Sequence, residues 1–216
     1  MTWLARLYIW ATYRLYHEFA WAYDLAAWIV SLGRWSGWRL RALDHVTGDR
    51  VLEVGFGTGS LLVEMAQRRV TAVGLDFSPE MQRTAGRKLA RRGLSVPRVR
   101  ALTQAMPFAA GSFDSIVSTF PAAYILDPAT LAEVARLLRR PDPERGIEGG
   151  RLVVVGMVVA VESRPVQRAQ GLLFGAPGES AIGRFKRIAA DTGLRVRVVE
   201  QEGERVRVPV ISAEKG

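Results

Sequence analysis

Three alternating glycines follow a short apolar run in the sequence. The run V51-L52-E53-V54 has the composition of a strand, and Gly55, Gly57 and Gly59 come directly after it. Glycine adopts backbone angles that other residues avoid, and it lets a ligand approach the backbone closely. Asp76 closes the next apolar run, 19 residues after Gly57, where a carboxylate can accept hydrogen bonds from ribose hydroxyls. The spacing predicts a nucleotide or nucleoside site.

Two details favour a nucleoside that carries an amino acid over a dinucleotide such as NAD. The pyrophosphate fingerprint G-x-G-x-x-G needs its third glycine at position 60, which is Ser60. Glu53 stands two residues before the first glycine, at the mouth of the turn. A carboxylate there repels a pyrophosphate and attracts the ammonium of an amino-acid moiety.

The elements that must position this turn alternate from residue 50 onward. Strands are predicted at about 50–55, 70–75, 97–101, 113–118, 151–159, 194–200 and 205–212, and helices at about 59–68, 79–92, 128–140 and 180–192. This alternation predicts an α/β fold, a Rossmann-like sheet of seven mostly parallel strands covered by helices. Only residues 201–204 separate the last two strands, which predicts a terminal antiparallel hairpin.

Three stretches resemble a known family. E53-V-G-F-G-T-G59 and G74-L-D76-F-S-P-E-M81 look like the first and second motifs of class I S-adenosylmethionine-dependent methyltransferases. P107-F-A-A-G-S-F-D-S-I-V-S118 looks like the stretch leading into the fourth strand of that family. The resemblance covers about residues 45–160 and implies S-adenosyl-L-methionine as the cofactor.

The resemblance also implies the residues of the cofactor site. Asp76 would bind the ribose, and Phe77 and Met81 would flank the adenine unless they are core at the start of a helix. The family often has an acid in a D-A-x-x-L-P-F stretch, where this chain has Leu102, so Gln104 or the backbone would meet the adenine amino group. The remaining implied cofactor-binding residues are Glu53, Gly55, Gly57 and Gly59, which would hold the methionine part, and Ser118.

Methyl transfer from a sulfonium requires alignment, exclusion of water and sometimes removal of a proton. The candidate catalytic residues near the expected cofactor mouth are His17, Tyr23 and Tyr124, with Asp24 as a further acid. His17 and Tyr23 have packing or capping as the alternative. Asp127 precedes Pro128 and is predicted to be a helix N-cap. No metal site is predicted, and the absence of cysteine excludes a cysteine nucleophile.

Three acceptor hypotheses remain open. The first is a small lipophilic acceptor, either a quinol precursor or a phospholipid head group. It rests on V30-S-L-G-R-W-S-G-W-R39, which is similar to the start of the ubiquinone/menaquinone C-methyltransferases, although S118-T-F-P-A-A-Y-I125 departs from that group's later signature. The second is RNA, favoured by a basic run between Arg83 and Arg100. The third is a non-catalytic S-adenosylmethionine-binding partner protein.

Residues 1–44 differ in composition from residues 45–216, which predicts an N-terminal helical segment beside a methyltransferase domain. All six tryptophans lie in the first segment, and the chain carries a net charge of +9. Residues 2–17 combine aromatic and basic residues, which predicts an anchor on an anionic membrane surface; residues 18–43 are expected to form a lid. The expected location is cytoplasmic, peripheral at the inner membrane face. Composition bias is the alternative explanation of the charge.

Overall fold

The computed structural model describes residues 35–157, 160–161, 180–199 and 206–216. The helices in these ranges are α1 (Trp35–Leu40), α2 (Ser60–Gln67), α3 (Pro79–Ala90), α4 (Pro128–Leu137) and α5 (Ala181–Asp191), with 3-10 helices at Arg41–His45, Ala123–Leu126 and Pro143–Arg145. The strands are β1 (Arg50–Val54), β2 (Thr71–Leu75), β3 (Arg98–Val99), β4 (Ser115–Thr119), β5 (Arg151–Val155), β6 (Ala160–Val161), β7 (Leu194–Val199), β8 (Val206–Arg207) and β9 (Val210–Lys215).

Seven of these strands form one sheet in the order β3-β2-β1-β4-β5-β9-β7. β1 to β5 pair in parallel, and β9 lies antiparallel between β5 and β7. The predicted seven-stranded, mostly parallel sheet with an antiparallel terminal pair is therefore confirmed. The strand order reverses between β1 and β4, and such a reversal opens a crevice at the carboxyl ends of the strands. The glycine turn follows β1 at this place.

The sheet is buried on both faces because its central strands are apolar at nearly every position. Val51 packs into a cluster with α1, α2 and α3 on one face, whereas Leu52 and Val54 pack into a second cluster with α4 and α5 on the other face. Side chains alternate along a strand, so Glu53 shares the face of Val51. Glu53 therefore lies on the side of the sheet that α1 and α2 cover.

The helices of the crevice start at side-chain caps. The Ser78 hydroxyl accepts a hydrogen bond from the Met81 amide at 3.3 Å, and the Asp127 carboxylate accepts one from the Ala129 amide at 2.9 Å. A proline occupies the first turn of both helices, where its missing N–H costs nothing. The prediction that Asp127 caps a helix is confirmed.

The predicted tight hairpin at the end of the chain is wrong in its bounds. Residues 206–207 do not belong to the last strand of the main sheet, because β8 pairs with β6 in a separate two-stranded sheet. The last strand is β9, which starts at Val210. Pro209 stands between β8 and β9, and a proline cannot donate a ladder hydrogen bond. The antiparallel pairing of β7 with the final strand is confirmed.

Strand β5 also ends earlier than residue 159. Gly156 follows Val155 at a φ of 76°, in the left-handed region that interrupts an extended strand. The ring of Phe120 occupies the space that a side chain at position 156 would need. A local pattern of apolar residues could not show this long-range contact.

Candidate functional site

The turn after β1 has all three of its alternating glycines at positive φ. The φ angles are 71° at Gly55, 55° at Gly57 and 75° at Gly59. A Cβ at Gly55 would overlap the Tyr124 hydroxyl, and a Cβ at Gly59 would lie 2.6 Å from that of Ala85. At Gly57 no atom lies within 4 Å of the Cβ position. The turn is therefore packed at both ends and open at its centre, where a ligand can approach the backbone.

Asp76 fixes the open centre of this turn. Its carboxylate accepts hydrogen bonds from the amides of Gly57 at 2.8 Å and Ser78 at 2.9 Å. Burial raises the pKa of Asp76 above its ordinary value, although both backbone hydrogen bonds lower it. An ionised carboxylate offers about four acceptor positions, so Asp76 retains capacity for further donors such as ribose hydroxyls.

Glu53 is a buried acid at the carboxyl end of β1. The residue is 1% exposed, and its Oε2 atom has no hydrogen-bond partner. Burial raises the pKa of Glu53 to about 8; the charge of Arg39 lowers it, and that of Asp76 raises it further. A buried carboxylate without a donor is costly. A cationic group beside Oε2 would relieve this cost, because an adjacent positive charge favours the ionised form.

Two large apolar side chains lie exposed beyond the ends of β2 and β3. Phe77 is 53% exposed and Leu102 is 52% exposed. The Arg100 guanidinium lies 5.2 Å from the centroid of the Phe77 ring and donates a hydrogen bond to the Phe77 carbonyl oxygen. Met81, by contrast, is 1% exposed in the core, which fits its packing alternative. The exposed apolar surface suited to a planar base therefore comes from Phe77 and Leu102.

Gln104 joins the loop after β3 to the start of α4. Its Nε2 donates to the Asp127 carboxylate at 2.7 Å, and its Oε1 accepts from the Thr103 hydroxyl at 3.2 Å. The hydrogen bond from Gln104 is the main cause that lowers the pKa of Asp127. A side-chain amide has a second N–H and a second lone pair, so Gln104 can still meet the edge of a base.

Ser118 and Tyr124 lie on the other side of the turn. The Ser118 hydroxyl, which is buried, lies 3.0 Å from the Val54 carbonyl oxygen, and the Tyr124 hydroxyl lies 3.1 Å from the same oxygen. The two hydroxyls are 2.9 Å apart. Both side chains therefore support the backbone just before Gly55, and sequence reasoning did not foresee this role.

Lys88 makes a contact that the sequence pattern did not reveal. From α3 its Nζ donates to the hydroxyls of Thr58 at 3.0 Å and Ser60 at 2.7 Å. The sequence placed Lys88 in a basic run, with a solvated face as its alternative role. Spacing along the chain carried no signal for the contact, because the partners are separated by 30 and 28 residues.

The other candidate catalytic residues, His17 and Tyr23, lie outside the described residues, as do Asp24 and the segment 2–17. Within the described ranges no helix is long and apolar enough to cross a membrane. The same ranges contain no group of three or more histidines or acids arranged to hold a metal ion.

Comparisons with known proteins agree with this geometry. A family model described as a methyltransferase domain matches residues 51–141. The chain is 35% identical over 147 residues to demethylmenaquinone methyltransferase of Thermus thermophilus, covering 65% of this chain and 63% of that protein. It is 34% identical over 175 residues to phosphatidylethanolamine N-methyltransferase of Cereibacter sphaeroides, covering 76% of this chain and 78% of that protein. The chain spans just under two thirds of the length of the demethylmenaquinone methyltransferases it matches.

The fold also matches solved structures. The crystal structure of the YcgJ protein from Bacillus subtilis superposes with a TM-score of 0.60 at 16% identity, over 82% of this chain and 96% of that one. At this identity the match concerns the fold alone.

Proposed function

Because the chain belongs to the class I S-adenosylmethionine-dependent methyltransferases, we propose that it transfers a methyl group from S-adenosylmethionine to a small lipophilic acceptor. The acceptor would be a quinol precursor or a phospholipid head group. The single observation that carries the cofactor assignment is the buried Glu53, whose Oε2 lacks a partner, beside a glycine turn tied to Asp76.

The residues present fit this cofactor. Glu53 would hold the ammonium of the amino-acid moiety, and the open backbone at Gly57 would admit the chain that follows it. Asp76 would accept the ribose hydroxyls. Phe77 and Leu102 would cover the adenine with their exposed apolar surface. When bound, S-adenosylmethionine supplies a methyl group on a sulfonium, a leaving group that needs no acid.

Tyr124 is proposed to position the turn and not to remove a proton. Its hydroxyl is engaged at the Val54 carbonyl and beside Ser118, and it fills the space next to Gly55. His17 and Tyr23 stay candidates for a proton acceptor, on the basis of the sequence. The chain would otherwise act by aligning the acceptor with the methyl group and by excluding water.

The acceptor class rests on the relatives. Demethylmenaquinone methyltransferase and phosphatidylethanolamine N-methyltransferase are named for lipophilic acceptors. The basic run does not favour RNA, because part of it serves contacts within the domain. Arg83 pairs with Glu80, and Lys88 binds the turn; Arg98 and Arg100 donate to backbone carbonyls.

Methyl transfer from labelled S-adenosylmethionine to a total lipid extract, compared with total RNA, tests the proposal. We expect label in the lipid fraction with the wild-type protein and a strong loss with Asp76→Ala. Label in RNA would establish the RNA alternative. Cofactor binding with transfer to neither fraction would favour a non-catalytic partner protein.

Association with an anionic membrane surface is a further proposal, since a lipophilic acceptor resides in a bilayer. It rests on the tryptophan and arginine content of residues 2–17. Full-length protein should sediment with anionic liposomes at low salt, and deletion of residues 1–17 should reduce this while cofactor binding survives. Full-length protein that ignores such liposomes would overturn the anchor.

The division at residues 44 and 45 also stays a proposal. Trp38 and Ala42 belong to the same core cluster as Val51 of β1, so residues 35–45 pack against the domain that follows them.

A further inference from the structure

Helix α1 places a cation on the face of the sheet where Glu53 lies. Trp38 is 9% exposed and packs with Val51 and α2 in one core cluster, which fixes the end of α1 against the domain. Arg39 follows Trp38 and is half-buried. Its charge acts on Glu53 across this region. The position of Arg39 is therefore set by core packing and not by a surface loop.

Neither of these opposite charges is satisfied by the other. Within the described ranges the Arg39 guanidinium forms no hydrogen bond and no ion pair, and Glu53 Oε2 is buried without a partner. The two groups are close enough to interact electrostatically and are not bonded directly. Such a pair matches a ligand that carries both charges, because each ligand charge then meets its opposite.

We propose that Arg39 is a binding residue of the cofactor site and that its guanidinium donates to the α-carboxylate of S-adenosylmethionine while Glu53 holds the ammonium. This inference rests on the proposed function. It assigns to α1, which lies outside the glycine turn and the strand ends, a direct part in selecting a ligand with a complete amino-acid end. Guanidinium suits this task because its planar donors match a carboxylate.

Three ligands separate this role from a structural one. S-adenosylhomocysteine carries both charges, decarboxylated S-adenosylmethionine keeps the amine and lacks the carboxylate, and 5′-methylthioadenosine lacks both. Binding of each ligand to the full chain would be measured by calorimetry. The variants are Arg39→Met, Arg39→Lys and, as a matched control, Arg41→Met, which removes a half-buried arginine two residues away.

Arg39→Met should weaken S-adenosylhomocysteine binding about 10- to 100-fold, the range for a hydrogen bond to a charged group. Binding of the other two ligands should change less than about twofold. Arg39→Lys should recover part of the loss, and Arg41→Met should bind all three ligands as the wild type does. Glu53→Gln should weaken both amine-bearing ligands and spare 5′-methylthioadenosine.

Two outcomes would overturn the inference. An unchanged S-adenosylhomocysteine affinity in Arg39→Met and Arg39→Lys would show that the guanidinium does not meet the ligand. An equal loss for all three ligands would show that Arg39 only supports the fold, as would failure of both variants to fold. If the wild-type protein binds none of the three ligands, the proposed function itself fails.

Discussion

Replacing Glu53 with glutamine should stabilise the unliganded protein near neutral pH and should also weaken cofactor binding. The unfolded chain carries this carboxyl with a pKa of 4.5, whereas burial raises the pKa to about 8 in the folded protein. Between these values the folded state keeps a proton that the unfolded state has lost. Rising pH therefore favours unfolding, starting near 4.5 and ending near 8.

The size of the effect follows from the two pKa values. At 1.36 kcal/mol per pKa unit, wild-type stability carries a penalty of about 3 kcal/mol at pH 7 that is almost absent at pH 4. A glutamine cannot ionise, so Glu53→Gln should lack the decline of about 3 kcal/mol that the wild type shows between pH 5 and pH 8. The pKa of Asp76 is also raised, and that contribution remains in both proteins.

Urea denaturation at pH 5, 6, 7 and 8 would measure the free energy of unfolding of both proteins without cofactor. Glu64→Gln, which removes a half-buried carboxylate of α2, is the matched control. S-adenosylhomocysteine titrations on the same samples should show wild-type affinity rising with pH toward 8, because the ammonium needs an ionised Glu53. The reasoning is refuted if Glu53→Gln and the wild type lose stability in parallel over this range.

Three further predictions concern the turn. Asp76→Ala should weaken S-adenosylhomocysteine binding by about 1.5–3 kcal/mol, as measured by calorimetry; an unchanged affinity would remove Asp76 from the site. Gly57→Ala should cost about 1–2 kcal/mol of stability for its positive φ alone, and Gly55→Ala should cost clearly more in the same denaturation assay because its Cβ also meets a side chain; equal costs would contradict this packing. Lys88→Met should lose about 1–2 kcal/mol of stability with its two hydrogen bonds to the turn, whereas Arg87→Met on the exposed side of α3 should not, and equal losses would argue against the contact.

Local patterns in the sequence were enough for the sheet and for the outline of the cofactor site. Strand and helix positions followed from apolar runs that are buried on both faces, and five predicted strands lie close to β1, β2, β4, β5 and β7. The glycines revealed the turn because only glycine commonly adopts their positive φ angles. Errors fell at Pro209 and Gly156, where a single residue ends a strand within an apolar run.

The sequence by itself determined which residue types stand at the carboxyl ends of β1 and β2, since a strand, a turn and an acid are consecutive features of one chain. Only the tertiary structure decided which distant side chains meet there. Tyr124 lies beneath the turn, Lys88 reaches it from α3, and Arg39 faces Glu53 from α1. Each of these contacts depends on how helices pack across a sheet whose strands are reordered. Periodicity along the chain reports which face of an element is buried, but it contains no information about the partner on the other side.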